Sequence, residues 1–404
     1  MIRAALIIWL ITFVARAQVI QGKYFMGKTT GNLPYLEYGL GYDRLGGAKI
    51  TFLDTGIVVK VVDSTITNYK VQLSNHHFAW LPKSNFKLDK TKLQPYYLTS
   101  SWMVNGDDKF DYLSISLDEK LPYRSMQQIN PSKIVVDIYG VTSNTNWITQ
   151  RSSAREIVNV FHEQTEDDVF RVTMELKHEQ HWGYSIYYKD KKLVIRIKRQ
   201  PESLKLGKLK IAIDAGHGGD NKGAIGISTA IQEKDYNLLI AKQLEKELLS
   251  NKANVFMTRA TDTTLSMTER LALLKNEDPD FLISIHLNSS SKDSIRGVST
   301  YYRYIGFRPL TKFILGRLVE IGLNDFGNIG SFNFSLNGPT EYPNCLVEVA
   351  FLSNKEDEKL IMNSEFRAKV AAQIVKGIKD WLRFSAGKKS ITGKKFLHSQ
   401  HIVF

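Results

Sequence analysis

The second half of the chain holds three short apolar segments that end beside, or contain, a side chain able to bind a metal ion or carry a proton. Apolar runs of this length predict buried strands. Ligands of open α/β sheets gather at the carboxyl ends of the strands, so we expect these polar side chains to meet at one edge of a sheet. The segments are 210–214, followed by a glycine-rich turn with His217; 281–285, followed by His286; and 346–351, which contains Glu348.

A helix is predicted between the first two of these strands. Glu233 opens a segment, ending at Leu249, in which leucine and alanine recur at helical spacing. A carboxylate in the first turn is also favoured by the helix dipole. We therefore predict an α/β domain with a twisted, mostly parallel sheet flanked by helices.

His217, Glu233 and His286 are candidate metal ligands. Two imidazoles and one carboxylate are a common catalytic zinc set, which leaves a coordination position for water. A further carboxylate such as Glu348 can act as general base. Ordinary explanations exist for a histidine after a glycine turn and for a glutamate at a helix start. Glu348 is harder to explain that way, because a carboxylate within an apolar strand needs a partner or a metal.

A series of short motifs extends through the second half of the chain. They are Asp-x-Gly-His-Gly-Gly at 214–219, Gly-Ala-Ile-Gly at 223–226, Glu-Lys-Asp-x-Asn at 233–237, Thr-Arg at 258–259, Leu-x-x-x-Glu-Arg at 265–270, Ser-Ile-His-x-Asn at 284–288, Gly-Val-x-x-Tyr-Tyr at 297–302, and the segment around Glu348 that ends in Phe-Leu-Ser-Asn. With these motifs, residues 208–384 resemble the catalytic domain of the zinc-dependent N-acetylmuramoyl-L-alanine amidases. Ala215 departs from the family, which usually has proline there, and this affects the stiffness of the turn.

The resemblance implies that His217, Glu233 and His286 bind Zn²⁺ and that Glu348 is the catalytic carboxylate. It implies hydrolysis of the amide between N-acetylmuramic acid and L-alanine in peptidoglycan, for cell-wall remodelling or daughter-cell separation. Two alternatives stay open at this point. The same metal set would serve a zinc peptidase acting within the stem peptide, and a non-catalytic wall-binding protein could be built on the same fold.

Regulation and supporting roles are also open. Some members of the family carry an inserted helix that blocks the zinc, whereas here a single predicted helix, 309–323, leaves little room for another. Glu341 is either a blocking ligand or an ordinary loop carboxylate, and an envelope activator protein is a candidate partner. Two further choices are whether Asp214 and Asn288 orient ligands or shape turns, and whether Arg259 and Arg270 pair with internal carboxylates or face the substrate.

The start of the chain has the pattern of a signal peptide over residues 1–17. A short cationic region precedes an apolar run to Val14, and Ala-Arg-Ala at 15–17 is a typical cleavage site. The run is too short for a comfortable membrane span. We therefore expect a periplasmic or secreted protein, cleaved before Gln18, with no stable membrane span afterwards.

Charge and cysteine content agree with export. The formal net charge of +13 favours acidic partners. An export signal argues against nucleic acid and for anionic envelope polymers or lipid headgroups, although a generally basic surface explains the charge equally well. The single cysteine, Cys345, cannot form an intramolecular disulfide.

Two small all-β units are predicted before the catalytic domain. Residues 96–200 show alternating strands typical of a β-sandwich. They resemble the AMIN domain of bacterial envelope proteins, which implies a role in cell-wall targeting. Residues 18–95 are β-rich and resemble a bacterial Src-homology-3-like barrel, or form an irregular extension of the AMIN-like unit. Residues 200–203 are the predicted linker, and residues 385–404 form a basic tail.

Overall fold

A computed structural model describes residues 24–41, 46–89, 94 and 96–387. The predicted signal peptide, and the predicted tail from residue 388 onward, lie outside these residues. No helix in the described ranges is long and apolar enough to cross a membrane.

The first unit is one seven-stranded sheet in the order β3-β2-β6-β5-β4-β1-β7. Its β-branched runs favour strands, and Val59, Val61 and Val71 are almost fully buried on the inner face. The strands are β1 (Phe25–Thr29), β2 (Tyr35–Glu37), β3 (Lys49–Phe52), β4 (Val58–Ser64), β5 (Asn68–Gln72), β6 (Phe78–Pro82) and β7 (Phe86–Leu88).

The second unit has two sheets facing each other across an apolar core. Leu113, Ile115 and Leu117 alternate with more accessible residues along β9, as the sequence pattern predicts. One sheet runs β10-β11-β15-β14; the other runs β12-β8-β9-β17-β16, with β13 also on β8. The strands are β8 (Tyr97–Gly106), β9 (Phe110–Leu117), β10 (Tyr123–Gln128), β11 (Lys133–Tyr139), β12 (Val141–Thr142), β13 (Ile148–Gln150), β14 (Ile157–Glu166), β15 (Val169–Leu176), β16 (Tyr184–Lys189) and β17 (Lys192–Lys198).

The third unit is a six-stranded sheet in the order β19-β18-β20-β23-β21-β22. Neighbouring strands in this described sheet are parallel except β21 and β23. The strands are β18 (Lys210–Ala215), β19 (Asn254–Met257), β20 (Phe281–Asn288), β21 (Val298–Tyr301), β22 (Asp325–Ile329) and β23 (Asn344–Phe351). The helices are α1 (Glu233–Ser250), α2 (Met267–Glu277), α3 (Arg308–Val319), α4 (Lys355–Met362) and α5 (Ser364–Ser385).

This architecture confirms the predicted fold class, an α/β domain preceded by two all-β units. At the start of α2, the Ser266 hydroxyl and the Glu269 carboxylate form a reciprocal capping box. The exact domain limits stay predictions, as does the Src-homology-3-like identity of the first unit.

The second and third units share packed contacts, as the short linker predicts. Trp182, from the second unit, belongs to the core of the third and lies 5.0 Å, ring centre to ring centre, from Trp381 on α5. The Trp381 indole N–H donates to Gln180 Oε1 at 2.7 Å. Buried aromatic pairs of this kind stabilise an interface beyond simple area burial, so the sandwich helps to hold the helical layer.

Candidate metal centre and active site

His217 projects from the turn that follows β18. Its φ of +61° is left-handed, and the next two residues, Gly218 and Gly219, have φ of +133° and +56°. Such a conformation persists where the surroundings hold it. Two guanidinium groups do so: Arg259 donates to the carbonyls of Ala215 and Gly216, and Arg270 donates to the carbonyls of Ala215 and His217.

Glu233 is the first residue of α1, and its carboxylate is held in place by three donors. Oε1 accepts from the Leu287 backbone N–H at 3.1 Å and from Asn237 Nδ2 at 3.1 Å. Oε2 accepts from the Ala224 backbone N–H at 2.7 Å. The residue is only 4% exposed. Its orientation is therefore fixed before any ligand binds.

His286 lies at the carboxyl end of β20 and closes the cluster. Its Nδ1 is 3.0 Å from Glu233 Oε1, and His217 Nε2 is 3.1 Å from Glu233 Oε2. One ligand atom from each of the three residues lies within 4.8 Å of the others. The structure therefore brings the three predicted ligands together, in an arrangement that could hold a metal ion.

Glycines leave the room that this cluster needs. A Cβ atom at Gly216 would lie 2.2 Å from the His286 ring, and one at Gly223 would lie 2.4 Å from Glu233 Oε2. Neither distance is tolerated by real side chains. The glycines of the turn motifs thus allow the backbone to approach the ligand groups closely.

Glu348 lies on β23, where it pairs with His286 in the parallel register of β20 and β23. It is partly accessible, while its strand neighbours Val347 and Val349 are fully buried. Paired residues on adjacent strands are about 5 Å apart. The fourth predicted site residue therefore lies on the strand next to His286, beside the cluster.

The ionisable groups of the cluster shift each other's pKa values toward the charged forms. Burial by itself raises the pKa of Glu233, but hydrogen bonds with His217 and His286 outweigh it, and the pKa lies below its ordinary value. Burial lowers the pKa of His286, but Glu233 outweighs burial and Glu348 adds to the effect, so the net shift is upward. Glu233 is therefore an anion, as a metal ligand must be.

Asp214 and Arg270 form a buried ion pair beneath the turn. Arg270 Nη1 lies 2.5 Å from Asp214 Oδ1, and the residues are 1% and 0% exposed. Thr258 and Ser284 hydroxyls donate to the same carboxylate, each at 2.7 Å. Burial raises the pKa of Asp214, but Arg270 and these hydrogen bonds outweigh it and lower the pKa. Arg270 thus pairs with an internal carboxylate instead of facing the substrate.

Glu341 is not near the cluster. It precedes β23, at the opposite end of that strand from Glu348. Its pKa is raised by burial, and Lys275 and Arg196 are among the groups that oppose the shift. The alternative in which Glu341 acts as a blocking ligand is therefore wrong.

Comparison with known proteins identifies the family of the third unit. Residues 211–380 match the family model for N-acetylmuramoyl-L-alanine amidase. The germination-specific N-acetylmuramoyl-L-alanine amidase of Bacillus subtilis (strain 168) is 31% identical over 198 residues, which is 44% of this chain and 82% of that protein. The chain belongs to the N-acetylmuramoyl-L-alanine amidase family. The uncharacterised YqiI of the same organism is 32% identical over 172 residues, covering 42% of this chain and 82% of YqiI.

Other matches to this amidase-family chain cover the same region. The amidase LytC of Bacillus subtilis (strain 168) is 31% identical over 43% of this chain, but only 35% of LytC is covered. The catalytic domain of CwlV, an amidase from Bacillus (Paenibacillus) polymyxa var. colistinus, is 34% identical, with 43% of this chain and 98% of that domain aligned and a TM-score of 0.42. Residues 103–197 match the AMIN domain, as the sequence resemblance predicts.

Several groups that shape the site of this amidase-family domain were not assigned from sequence. Asn237 lies four residues after Glu233 on α1, a spacing that places both on one helix face and could have revealed the contact. Asn221 Oδ1 lies 2.9 Å from His217 Nδ1, within the glycine-rich turn. Phe334, whose ring contacts that of His286, carries no signal in the sequence.

Proposed function

We propose that this chain is a zinc-dependent N-acetylmuramoyl-L-alanine amidase. Its reaction is hydrolysis of the amide between the lactyl group of N-acetylmuramic acid and the L-alanine of the stem peptide in peptidoglycan. The observation that carries the proposal is the cluster of His217, Glu233 and His286, with Glu348 paired to His286 on the next strand. Membership of the amidase family supports the choice of bond.

The residues present fit a zinc ion. Two imidazoles and one carboxylate suit zinc, and Gly216 and Gly223 leave the space that the ligand groups occupy. His217, Glu233 and His286 would hold the ion. Zinc bound there would act as a Lewis acid toward the scissile carbonyl and lower the pKa of a water molecule.

The other residues bind, orient or move protons. Glu348 takes a proton from the attacking water and returns it to the amide nitrogen, which leaves as the amine of L-alanine. Donors from Asn237 and the backbone keep Glu233 fixed. Arg259 and Arg270 keep the turn in the conformation that presents His217. No covalent bond to the protein is needed in this scheme, because water is the nucleophile.

The domain combination indicates where the reaction takes place. We place the reaction outside the cytoplasm, in the cell wall, because an AMIN match accompanies the amidase domain. Cell-wall remodelling or daughter-cell separation is the purpose that fits. An envelope activator protein stays a prediction.

Product analysis tests the proposal directly. The purified chain, loaded with zinc, is incubated with intact peptidoglycan sacculi, and the soluble products are identified by mass spectrometry. An amidase releases intact stem peptides that begin with L-alanine and leaves lactyl carboxylates on the glycan. A peptidase would release shortened stems, and a wall-binding protein without activity would release nothing. Glu348→Gln in the same assay separates enzymatic release from contamination.

A further inference from the structure

Two phenylalanine rings form a wall beside the ligand cluster; Phe332 and Phe334 are called the aromatic wall below. The Phe334 ring meets the His286 ring edge-on, with centroids 5.7 Å apart. Phe332 stacks on Phe334 at 5.3 Å and contacts Tyr301 at 4.5 Å on its other side. Both phenylalanines are half-buried, so part of their apolar surface stays accessible beside His286.

The residue between the two rings is held by the first β unit. Asn333 Nδ2 donates to the Gly47 carbonyl at 2.8 Å, and Asn333 Oδ1 accepts from the Lys49 backbone N–H at 3.3 Å. Arg303 bridges the same two residues: its Nη1 donates to Asn333 Oδ1 at 3.4 Å, and its Nη2 donates to the Lys49 carbonyl. These contacts join distant parts of the chain, since Lys49 and Asn333 are 284 residues apart in the sequence.

A second contact from the same unit supports the end of the segment. Phe52, at the end of β3, packs against Gly338, where an added Cβ atom would lie 2.9 Å from the Phe52 ring. Gly338 is buried. Strand β3 therefore holds the segment of residues 332–338 at both of its ends.

The segment needs such support. It lies outside the strands of the catalytic sheet. Ser331, just before the wall, has a left-handed φ of +55°, which is strained for a residue other than glycine. Phe332 donates one backbone hydrogen bond, to the Tyr302 carbonyl at 3.2 Å. Irregular segments with few ladder bonds open easily unless side chains tie them down.

We propose that Asn333 is a positioning residue, through which Gly47 and Lys49 of the first β unit hold the aromatic wall in place for substrate binding. This inference rests on the proposed function, because the wall is assigned to the peptidoglycan substrate. The wall receives the apolar part of the glycan–peptide junction, whose methyl groups flank the scissile amide. The first β unit is then part of the substrate cleft, in addition to any targeting role.

The test compares two full-length variants. Asn333→Ala removes the side-chain contacts to Gly47 and Lys49. Thr340→Val is the matched control, because the Thr340 hydroxyl also joins the catalytic unit to a β unit, donating to the Tyr184 carbonyl at 2.8 Å. Thr340 lies near the start of β23, away from His286. Zinc content, hydrogen–deuterium exchange and steady-state kinetics on a soluble muropeptide are measured for both.

For Asn333→Ala, we expect full zinc content and exchange at residues 331–335 faster by about tenfold, since the hydrogen bonds with Gly47, Lys49 and Arg303 are lost. KM should rise by about three- to tenfold, with kcat changed by less than about twofold, because a lost positioning contact weakens binding more than chemistry. Thr340→Val should leave both exchange at 331–335 and KM as in the unchanged chain.

Two results would overturn the inference. Exchange at 331–335 that is the same in both variants would show that Asn333 does not hold the wall. Faster exchange with an unchanged KM would show that the wall does not bind substrate. A third result separates this inference from the proposed function. If the unchanged chain leaves the lactyl–alanine bond intact, the proposed amidase function is wrong. Faster exchange at 331–335 in Asn333→Ala would still show that the first unit holds the wall.

Discussion

Glu348 is paired with His286 across the parallel register of β23 and β20. This pairing gives the two residues neighbouring positions at the carboxyl edge of the catalytic sheet, with Glu348 partly accessible and His286 buried. The proposed metal ligand and the proposed general base are thus placed side by side by one backbone ladder. The strand register fixes the relative position of their Cα atoms.

The first prediction concerns the metal. His217→Ala removes one of the three clustered ligand groups, so we expect bound zinc and activity to be lost. Circular dichroism should show that the β units remain folded. Zinc content is measured by elemental analysis after dialysis, and His76→Ala, at an exposed site, is the control that should keep its zinc. Stoichiometric zinc in His217→Ala would contradict the ligand assignment.

The second prediction separates binding from chemistry. Glu348→Gln keeps the size of the side chain but cannot accept a proton from water. We expect normal zinc content and normal binding to sacculi, with turnover lower by about a hundredfold or more. Release of stem peptides is followed over time. If the variant retained near-normal turnover, a group other than Glu348 would be the base.

The third prediction concerns the support beneath the turn. Arg270→Met leaves the Asp214 carboxylate buried without its cation, so we expect unfolding of the catalytic domain to become easier by about 3–5 kcal/mol. Weaker zinc binding should accompany it, because the His217 carbonyl also loses a donor. Arg383→Met is the control: the Arg383 side chain is 66% exposed, and its partner Asp380 keeps a second ion pair with Arg317. The loss of Arg383 should therefore cost less than about 1 kcal/mol. Urea unfolding curves that shift equally in the two variants would contradict the prediction.

The fourth prediction is a pH dependence of stability. His181 is 1% exposed, and burial lowers its pKa to about 4 from an ordinary value of 6.5. Between these two pH values the unfolded chain binds more protons than the folded one, so stability falls as the pH falls from 6.5 toward 4. Above pH 6.5 the contribution is complete.

The resulting change in the free energy of unfolding is about 3 kcal/mol, from the difference between the pKa of His181 in the folded and the unfolded chain. We expect His181→Gln to reduce the slope of unfolding free energy against pH in this window, whatever its effect on absolute stability. His76→Gln, at an exposed site, should leave the slope unchanged. The slope is measured by urea unfolding at several pH values, and an unaltered slope in His181→Gln would show that His181 is not the source.

The apolar pattern of the sequence was sufficient for the strands and helices that carry the site. Helix α1 begins at Glu233 as predicted, and ends at Ser250 instead of Leu249. Helix α3 was predicted to reach Leu323, but it ends at Val319. Apolar residues continue beyond that point, yet Gly322 adopts a φ of +91° and the chain turns. Local patterns thus locate elements well and their ends less well, because one backbone conformation can end a helix whose pattern continues.

The sequence by itself determined the candidate site residues, because short motifs place His217, His286 and Glu348 near the carboxyl ends of three buried strands. Only the tertiary structure decided what surrounds them. Arg270 pairs with Asp214, Glu341 lies at the far end of its strand, and Asn333 reaches Lys49 across 284 residues. Such contacts depend on how separate units pack together. Residues far apart in the chain share no periodicity, so their spacing carries no information about which of them will meet.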